Sequence, residues 1–129
     1  MNFPQELKYT EKDEWIKIEG NIATIGISDY AQGALSDIVY LEYAVSVGDV
    51  VSKGDILGTV ESVKAASDIY FAISGTIVEL NEGLLDLPEK INTDPYGDAW
   101  MIKIELTNVD ELDELMDSVK YEAYVKERL

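Results

Sequence analysis

A single lysine, Lys64, lies among small residues and two carboxylates in the segment ESVKAASD, positions 61–68. The runs on either side, GTVESV and SDIYFAIS, have the composition of β-strands, and the intervening Lys-Ala-Ala is short enough for a hairpin connection. Lys64 is therefore expected at the tip of a β-hairpin. A lysine at such a tip could form a Schiff base, bind phosphate or be modified by another protein.

The neighbours of Lys64 favour the last of these roles. Schiff-base chemistry needs an unprotonated amine, whereas Glu61 and Asp68 favour the charged ammonium. The same two carboxylates oppose the binding of phosphate. Because the adjacent residues are small, the stem of Lys64 stays accessible, and the segment predicts an attachment site rather than an ordinary solvated lysine.

The composition of the chain excludes several classes of function. Its 26 acidic and 10 basic residues give a formal net charge of −16, which repels nucleic acid and anionic membranes. The chain has no cysteine and no histidine, so disulfides, Ser-His and Cys-His triads and the commonest metal ligands are absent. The acidic run DELDELMD lacks the spacing and the glycine of a calcium loop, and no metal site is expected. No secretory signal or membrane span is recognisable, which indicates a soluble cytoplasmic protein.

Apolar and polar residues alternate through most of the chain, which is the pattern of half-buried strands. The runs are short and end at Gly, Asp, Asn or Pro. They predict one mainly β domain over residues 1–129, with a strand-rich core at about 9–107. Glu19-Gly20-Asn21 predicts a hairpin turn, and Ser28 is the expected N-cap of a helix of at most two turns.

The period changes near the C-terminus, at about residues 108–129. Asn108 followed by Glu111 resembles a capping box and predicts the start of a helical segment, with a break near Ser118. Four apolar residues recur at spacings of three and four and are expected to pack on the β core: Leu112, Leu115, Met116 and Val119.

Longer stretches of the chain resemble the H-protein family of the glycine cleavage system, within the biotinyl/lipoyl-carrier superfamily. They extend from about Tyr9 to Leu115 and include YTEKDEW, ATIGISDYAQGALSDIVYLE, VGDVVSKGDILGTVESVKAASDIY, SGTIVELNEGL and INTDPYGDAWMIKI. The resemblance implies a hybrid β-barrel sandwich with short helices, including one at the C-terminus. It also implies that Lys64, in the motif Glu61-Ser62-Val63-Lys64-Ala65, carries lipoic acid in amide linkage.

The resemblance further implies a carrier that catalyses no reaction itself. Such a carrier moves an aminomethyl group from a pyridoxal-phosphate glycine decarboxylase to an aminomethyltransferase, and reducing equivalents to dihydrolipoyl dehydrogenase. A lipoate ligase or a lipoyl/octanoyl transferase attaches the lipoyl group. In the family the loaded arm folds back into a cleft where acidic side chains hold it, and Glu14 and Asp68 match those positions.

Two alternatives remain open on the sequence. Asp13-Glu14-Trp15 stands where the family usually has His-Glu-Trp, and Lys12 is expected to compete with a cationic arm for Glu14. Because of these departures, one alternative is an H-protein-like lipoyl carrier that serves another oxidoreductase or a lipoyl relay. A biotin carrier is disfavoured, because biotin carriers flank their lysine with methionines, whereas Val63 and Ala65 flank Lys64 here.

Overall fold

Nine short β-strands in two antiparallel sheets make up the centre of the protein, as seen in a computed structural model that describes residues 1–129. The strands are β1 (Lys8–Tyr9), β2 (Glu14–Glu19), β3 (Ile22–Ile27), β4 (Ile38–Tyr43), β5 (Val50–Val51), β6 (Ile56–Ser62), β7 (Ala66–Tyr70), β8 (Gly75–Leu80) and β9 (Ile102–Leu106). The helices are α1 (Asp29–Leu35), α2 (Gly83–Asp86), α3 (Lys90–Thr93), a 3₁₀ helix (Val109–Glu114) and α4 (Ser118–Lys126). None of these helices is long and apolar enough to cross a bilayer.

The two sheets share one hydrophobic core. The larger sheet has the strand order β1-β2-β3-β9-β8-β5, and the smaller has β4-β6-β7. Side chains from both sheets meet in a cluster of 20 buried residues, rich in the β-branched types that suit a pleated surface. The mainly β fold with short helices that the sequence predicts is confirmed.

The two local turn predictions near the N-terminus are also confirmed. Strands β2 and β3 pair from Glu14 with Ile27 to Glu19 with Ile22, so Gly20 and Asn21 form the turn, with Gly20 at φ +63°. The Ser28 hydroxyl accepts a hydrogen bond from the Ala31 N–H at 3.2 Å and caps α1.

The C-terminal segment differs from its prediction in two respects. Val119 is 75% exposed and belongs to no apolar stripe, because α4 instead buries Tyr121 and Val125. Asn108 caps the 3₁₀ helix as predicted, because its side chain accepts from the Asp110 N–H at 3.1 Å. The Glu111 half of the capping box is wrong, since the Glu111 carboxylate accepts hydrogen bonds from Ser74 N–H and Oγ at 2.7 and 2.8 Å. The predicted break is present, because the 3₁₀ helix ends at Glu114 and α4 begins at Ser118.

A second hydrophobic cluster fastens α4 to the first two strands. It contains Leu7, Tyr9, Trp15, Tyr121 and Val125. The rings of Tyr9 and Tyr121 stack with centroids 4.6 Å apart, and Tyr9 also exchanges two backbone hydrogen bonds of 2.8 Å with Met116. The C-terminal segment is thereby fixed beside the turn that connects β1 to β2.

Two turns of the same sequence type, Ser46–Asp49 and Ser52–Asp55, flank β5. In each turn the aspartate carboxylate accepts a hydrogen bond of 2.8 Å from the serine N–H, and the glycine has a positive φ, +94° and +99° respectively. In each, the glycine N–H donates to a carbonyl at 2.8 Å, that of Ile77 in the first turn and of Phe71 in the second. The two turns are therefore structural equivalents, which we call the twin turns.

We expect Gly75→Ala to destabilise the protein by about 2–3 kcal/mol, because overpacked cores cost energy of this order. A Cβ at Gly75 would meet the carbonyl oxygen of Glu105 on the paired strand, and backbone cannot move aside easily. Gly33→Ala is the matched control, since its Cβ meets nothing within 4 Å and alanine favours the helix by about 1 kcal/mol. Urea unfolding of the two variants measures both changes; equal midpoints would contradict the prediction.

Candidate functional site

The hairpin Glu61–Ala66, called here the lysine hairpin, presents Lys64 to solvent. Strand β6 ends at Ser62 and β7 begins at Ala66, so the connecting residues are 63–65, one residue earlier than the Lys-Ala-Ala expected from the sequence. Glu61 pairs with Ala66 across the hairpin. The predicted position of Lys64 at an exposed tip is confirmed.

The Ser62 side chain closes the turn of the lysine hairpin. Its hydroxyl accepts hydrogen bonds from the Lys64 and Ala65 N–H groups at 3.1 and 3.0 Å and donates one to the Ala65 carbonyl at 3.1 Å. The Ser62 N–H donates to the same carbonyl at 2.8 Å. Because neither Val63 nor Lys64 has a positive φ, the turn needs no glycine and has little freedom to open.

The tip is also fixed from behind, by the loop that follows α1. The Val63 N–H donates to the Asp37 carbonyl at 3.0 Å. That loop is in turn held by Asn92, whose amide accepts from the Ile38 N–H at 2.8 Å and donates to the Ser36 carbonyl at 3.0 Å. No local pattern indicates this role of Asn92, because its partners lie more than fifty residues away in the sequence.

The Lys64 amine makes one weak contact. It donates to the carbonyl of Ala34 at 3.4 Å, in the last turn of α1, where the helix dipole attracts a cation. None of the six salt bridges involves Lys64. The Asp68 carboxylate accepts instead from Thr59 Oγ1 at 2.9 Å. The amine is thus free to react with an enzyme that approaches the tip.

A cleft of about 630 Å³, called here the Glu14 cleft, opens near the far end of β7. From Ala66 to Tyr70 the strand rises roughly 13 Å, which sets the distance between the lysine hairpin and the cleft along this strand. The cleft is lined by Thr10, Glu11, Lys12, Glu14, Lys53, Gly54, Tyr70, Phe71, Ala72, Glu114, Leu115 and Tyr124.

Glu14 is a buried carboxyl in the wall of this cleft, only 3% exposed. Burial raises its pKa to about 7, although hydrogen bonds from Thr10 and from the Tyr70 backbone and the charge of Lys12 lower it. Thr10 Oγ1 donates to Glu14 Oε1 at 2.5 Å. Near neutral pH the carboxyl is therefore divided between its neutral and charged forms.

Lys12 lies near Glu14, as the sequence indicates, whereas Asp68 lies outside the cleft. The Lys12 amine is 4.0 Å from the centroid of the Tyr70 ring and forms no salt bridge with Glu14, so its expected competition for that carboxylate does not take the form of an ion pair. Asp68 is exposed on β7, between the hairpin and the cleft, and does not line the cleft. The sequence reasoning also missed Thr10, Tyr70 and Lys53, which line the cleft from three separate segments.

These features define a class of protein. A barrel-like sandwich of short strands, with one unpaired lysine held out on a stiff hairpin, is the architecture of a lipoyl- or biotinyl-carrier domain. The family model for the glycine cleavage H-protein matches residues 7–128. The chain belongs to this family, whose members are the lipoyl carriers of the glycine cleavage system.

Individual relatives cover nearly the whole chain. The glycine cleavage system H protein of Carboxydothermus hydrogenoformans is 52% identical over 124 residues, which are 96% of this chain and 95% of that protein. The H protein of Staphylococcus haemolyticus is 48% identical over 98% of this chain and 100% of its own. The crystal structure of the H protein of Mycobacterium marinum superposes with a TM-score of 0.85 at 37% identity, over 94% of this chain and 97% of that one.

We expect Glu14→Gln to change the pH dependence of stability. Because the pKa of Glu14 rises on folding from its ordinary 4.5 to about 7, the folded protein binds this proton more tightly than the unfolded chain. The contribution of Glu14 to the free energy of unfolding therefore falls as pH rises from 4.5 to 7 and stays low above it. The amide variant lacks this loss and should gain up to about 3 kcal/mol over the wild type at pH 8, with little gain at pH 4.

Denaturant unfolding of both proteins across this pH range measures the effect. Glu11→Gln removes a carboxylate from the same turn at an exposed position and reports the general effect of one charge. Parallel stability curves for the wild type and Glu14→Gln would show that the Glu14 carboxyl is ordinary.

Proposed function

We propose that Lys64 carries a lipoyl group in amide linkage and that the protein shuttles this arm among the enzymes of the glycine cleavage system. The observation that carries the proposal is the geometry of the lysine hairpin. It combines an exposed amine, no salt bridge at that amine, and a turn held closed by Ser62. A modifying enzyme can reach the amine without unfolding any part of the chain.

The residues around Lys64 suit such a group. When attached, a lipoyl group supplies a strained cyclic disulfide that exchanges readily with thiols and accepts a one-carbon unit. The chain contributes the rigid support, since Ser62 fixes the turn and the tip residues Val63 and Ala65 are exposed. Amide formation removes the charge of Lys64, so the amine's weak attraction to the end of α1 is lost.

Glu14 is the residue proposed to hold the cationic end of the loaded arm. The Glu14 cleft lies along the strand that leaves the hairpin, and its volume exceeds that of a small amine. A buried carboxyl with a pKa near 7 would ionise fully when a protonated amine approaches, because the opposite charge favours the anion. Asp68 has a lesser part in the proposal, as an exposed carboxylate beside the path between the hairpin and the cleft.

The specific partners follow from the same role. We infer docking by a pyridoxal-phosphate glycine decarboxylase, an aminomethyltransferase and dihydrolipoyl dehydrogenase, and modification by a lipoate ligase or a lipoyl/octanoyl transferase that recognises Glu61, Ser62, Val63 and Ala65 around Lys64. The carrier itself supplies no catalytic group to these reactions. The strongly acidic surface, with a net charge of −16, favours partners with basic docking sites.

A second candidate is an H-protein-like lipoyl carrier that serves another oxidoreductase or a lipoyl relay. The position of Lys12 favours it, since a fixed ammonium over Tyr70 in the cleft wall repels a cationic arm. Both candidates share the attachment at Lys64 and differ in what the arm carries.

Lys64→Arg is expected to abolish lipoylation, because arginine keeps the charge but offers no amine that can form the amide. Intact-mass spectrometry after co-expression with a lipoate ligase should show one adduct on the wild type and none on the variant. Lys17→Arg, at an exposed lysine of β2, is the control and should be modified fully. An adduct that persists in Lys64→Arg would place the attachment at another residue.

Glycine–bicarbonate exchange distinguishes the two candidates. The lipoylated protein, mixed with glycine decarboxylase and labelled bicarbonate, should drive exchange at a rate that rises with carrier concentration. Lys64→Arg should remain at the background of the decarboxylase alone. Full lipoylation with background exchange would overturn the glycine cleavage role and favour the second candidate.

A further inference from the structure

The turn Thr10–Glu14, which supplies four residues of the Glu14 cleft, has an unusual backbone. Asp13 has φ +70°, a left-handed conformation that residues other than glycine seldom adopt. Within the turn, the Asp13 N–H donates to the Thr10 carbonyl at 3.1 Å, and Thr10 Oγ1 accepts from the N–H groups of Lys12 and Glu14 at 3.2 Å each. The conformation of Asp13 therefore decides where Lys12 and Glu14 face.

Tyr121 of α4 and Arg128, two residues past the end of α4, hold the Asp13 side chain from outside the turn. The Arg128 guanidinium donates to both oxygens of the Asp13 carboxylate, at 3.1 Å to Oδ2 and closer to Oδ1. The Tyr121 hydroxyl donates to the same carboxylate at 2.9 Å. This paired, charge-assisted geometry specifies the orientation of the carboxylate as well as its position.

Arg128 is itself held in place. Its guanidinium carbon lies 4.6 Å from the ring centroid of Tyr30 and 4.3 Å from that of Tyr124. The side chains of Arg128 and Asp13 are 32% and 16% exposed. The pair is therefore more ordered than an ordinary surface ion pair, which contributes little.

A second contact from α4 reaches the other end of the turn. The Tyr124 hydroxyl donates to the Glu11 carbonyl at 2.9 Å, and Tyr124 also lines the Glu14 cleft. Helix α4 thus holds Glu11 and Asp13, the residues on either side of Lys12. The cap residue of α1, Ser28, also reaches the turn, because its N–H donates to the Asp13 carbonyl at 2.8 Å.

We propose that Tyr121, Tyr124 and Arg128, the C-terminal clamp, are positioning residues that keep the Glu14 cleft in the shape that binds the loaded arm. The clamp holds Asp13 in its left-handed conformation and so keeps Glu14 buried against Thr10. The inference rests on the proposed function, because it assigns the cleft the task of holding the arm.

A merely structural role makes a different prediction. If the clamp only fastened α4 to the β-sheet, its loss would lower stability without changing the surroundings of Glu14. If it positions the turn, its loss lets the turn open, and water reaches a carboxyl whose pKa is raised mainly by burial. The charges that shift the pKa of this carboxyl are those of Lys12 and Asp13, and the lining of the cleft also contains Glu11, Lys53 and Glu114. Changing Arg128 removes none of these five groups.

The decisive experiment is an NMR titration of the Glu14 side-chain carboxyl in the unlipoylated protein. Arg128→Gln should lower its titration midpoint by on the order of one pH unit, since hydration favours the anion. The loss of the positive charge of Arg128 would by itself raise the midpoint, because a nearby cation favours the Glu14 anion. The direction of the shift therefore distinguishes hydration of Glu14 from the loss of charge. Lys126→Gln is the matched control, because Lys126 ends α4 two residues before Arg128 and pairs only with the exposed Glu122.

The second measurement uses the lipoylated protein after glycine decarboxylase has loaded it from labelled glycine. Loss of label without an acceptor enzyme should be several-fold faster in Arg128→Gln than in the wild type, and unchanged in Lys126→Gln. A Glu14 midpoint that stays fixed or rises in Arg128→Gln would overturn the positioning role. If that variant does not fold, Arg128→Lys takes its place, because lysine keeps the charge but loses the paired hydrogen bonds to Asp13. A smaller downward shift of the Glu14 midpoint would then support the positioning role, and the absence of a shift would overturn it. A wild-type protein that retains no label would contradict the proposed role of the cleft, and the titration alone would then decide whether the clamp positions Glu14.

Discussion

The Ser62 hydroxyl imposes the constraint on which a carrier of this design depends. By bonding three groups within one turn it fixes the backbone of Lys64 relative to the barrel, while the side chain of Lys64 stays free. A tethered group gains effective concentration only when its anchor and its targets keep a defined separation. A flexible glycine loop at the same place would spread the arm over a larger volume and weaken that gain. The tie between Val63 and Asp37 extends the rigidity to the loop after α1.

The two groups proposed for function are set apart by environment as well as by distance. Lys64 is a cation left unpaired in a protein with a large excess of acid, whereas Glu14 is a carboxyl kept from water. Burial makes Glu14 responsive, because a group near its midpoint changes charge when a cation arrives. Lys12 is close enough to lower the pKa of Glu14 but lies on Tyr70. In the proposed function, a cationic arm in the cleft would therefore be attracted by Glu14 and repelled by Lys12.

The features that could be predicted from the sequence are those formed by residues close together in the chain. The alternating strands, the Gly20 turn, the Ser28 cap and the lysine hairpin each depend on residues within a few positions of one another. Asp13 and Arg128 are 115 residues apart, so no local pattern indicates their pairing. Val119 was misplaced because residues 115–117 are not helical, so the helical period does not continue from the 3₁₀ helix into α4. The resemblance to the H-protein family indicated Glu14 as a cleft residue. It did not indicate that Asp68 is exposed, which depends on the pairing of Asp68 on β7 with Thr59 on β6.

Only one of the twin turns lines the Glu14 cleft, although the two have the same structure. Gly54 of the second turn lines the Glu14 cleft, whereas the first, with Val47 62% exposed at its tip, lies outside the lining. Since both have the same internal bonding, the first is a natural place to insert a fluorophore-bearing cysteine or an affinity peptide. A reporter there would follow the carrier as it passes between enzymes, and a cysteine introduced for it would be the only one, since the chain contains none of its own.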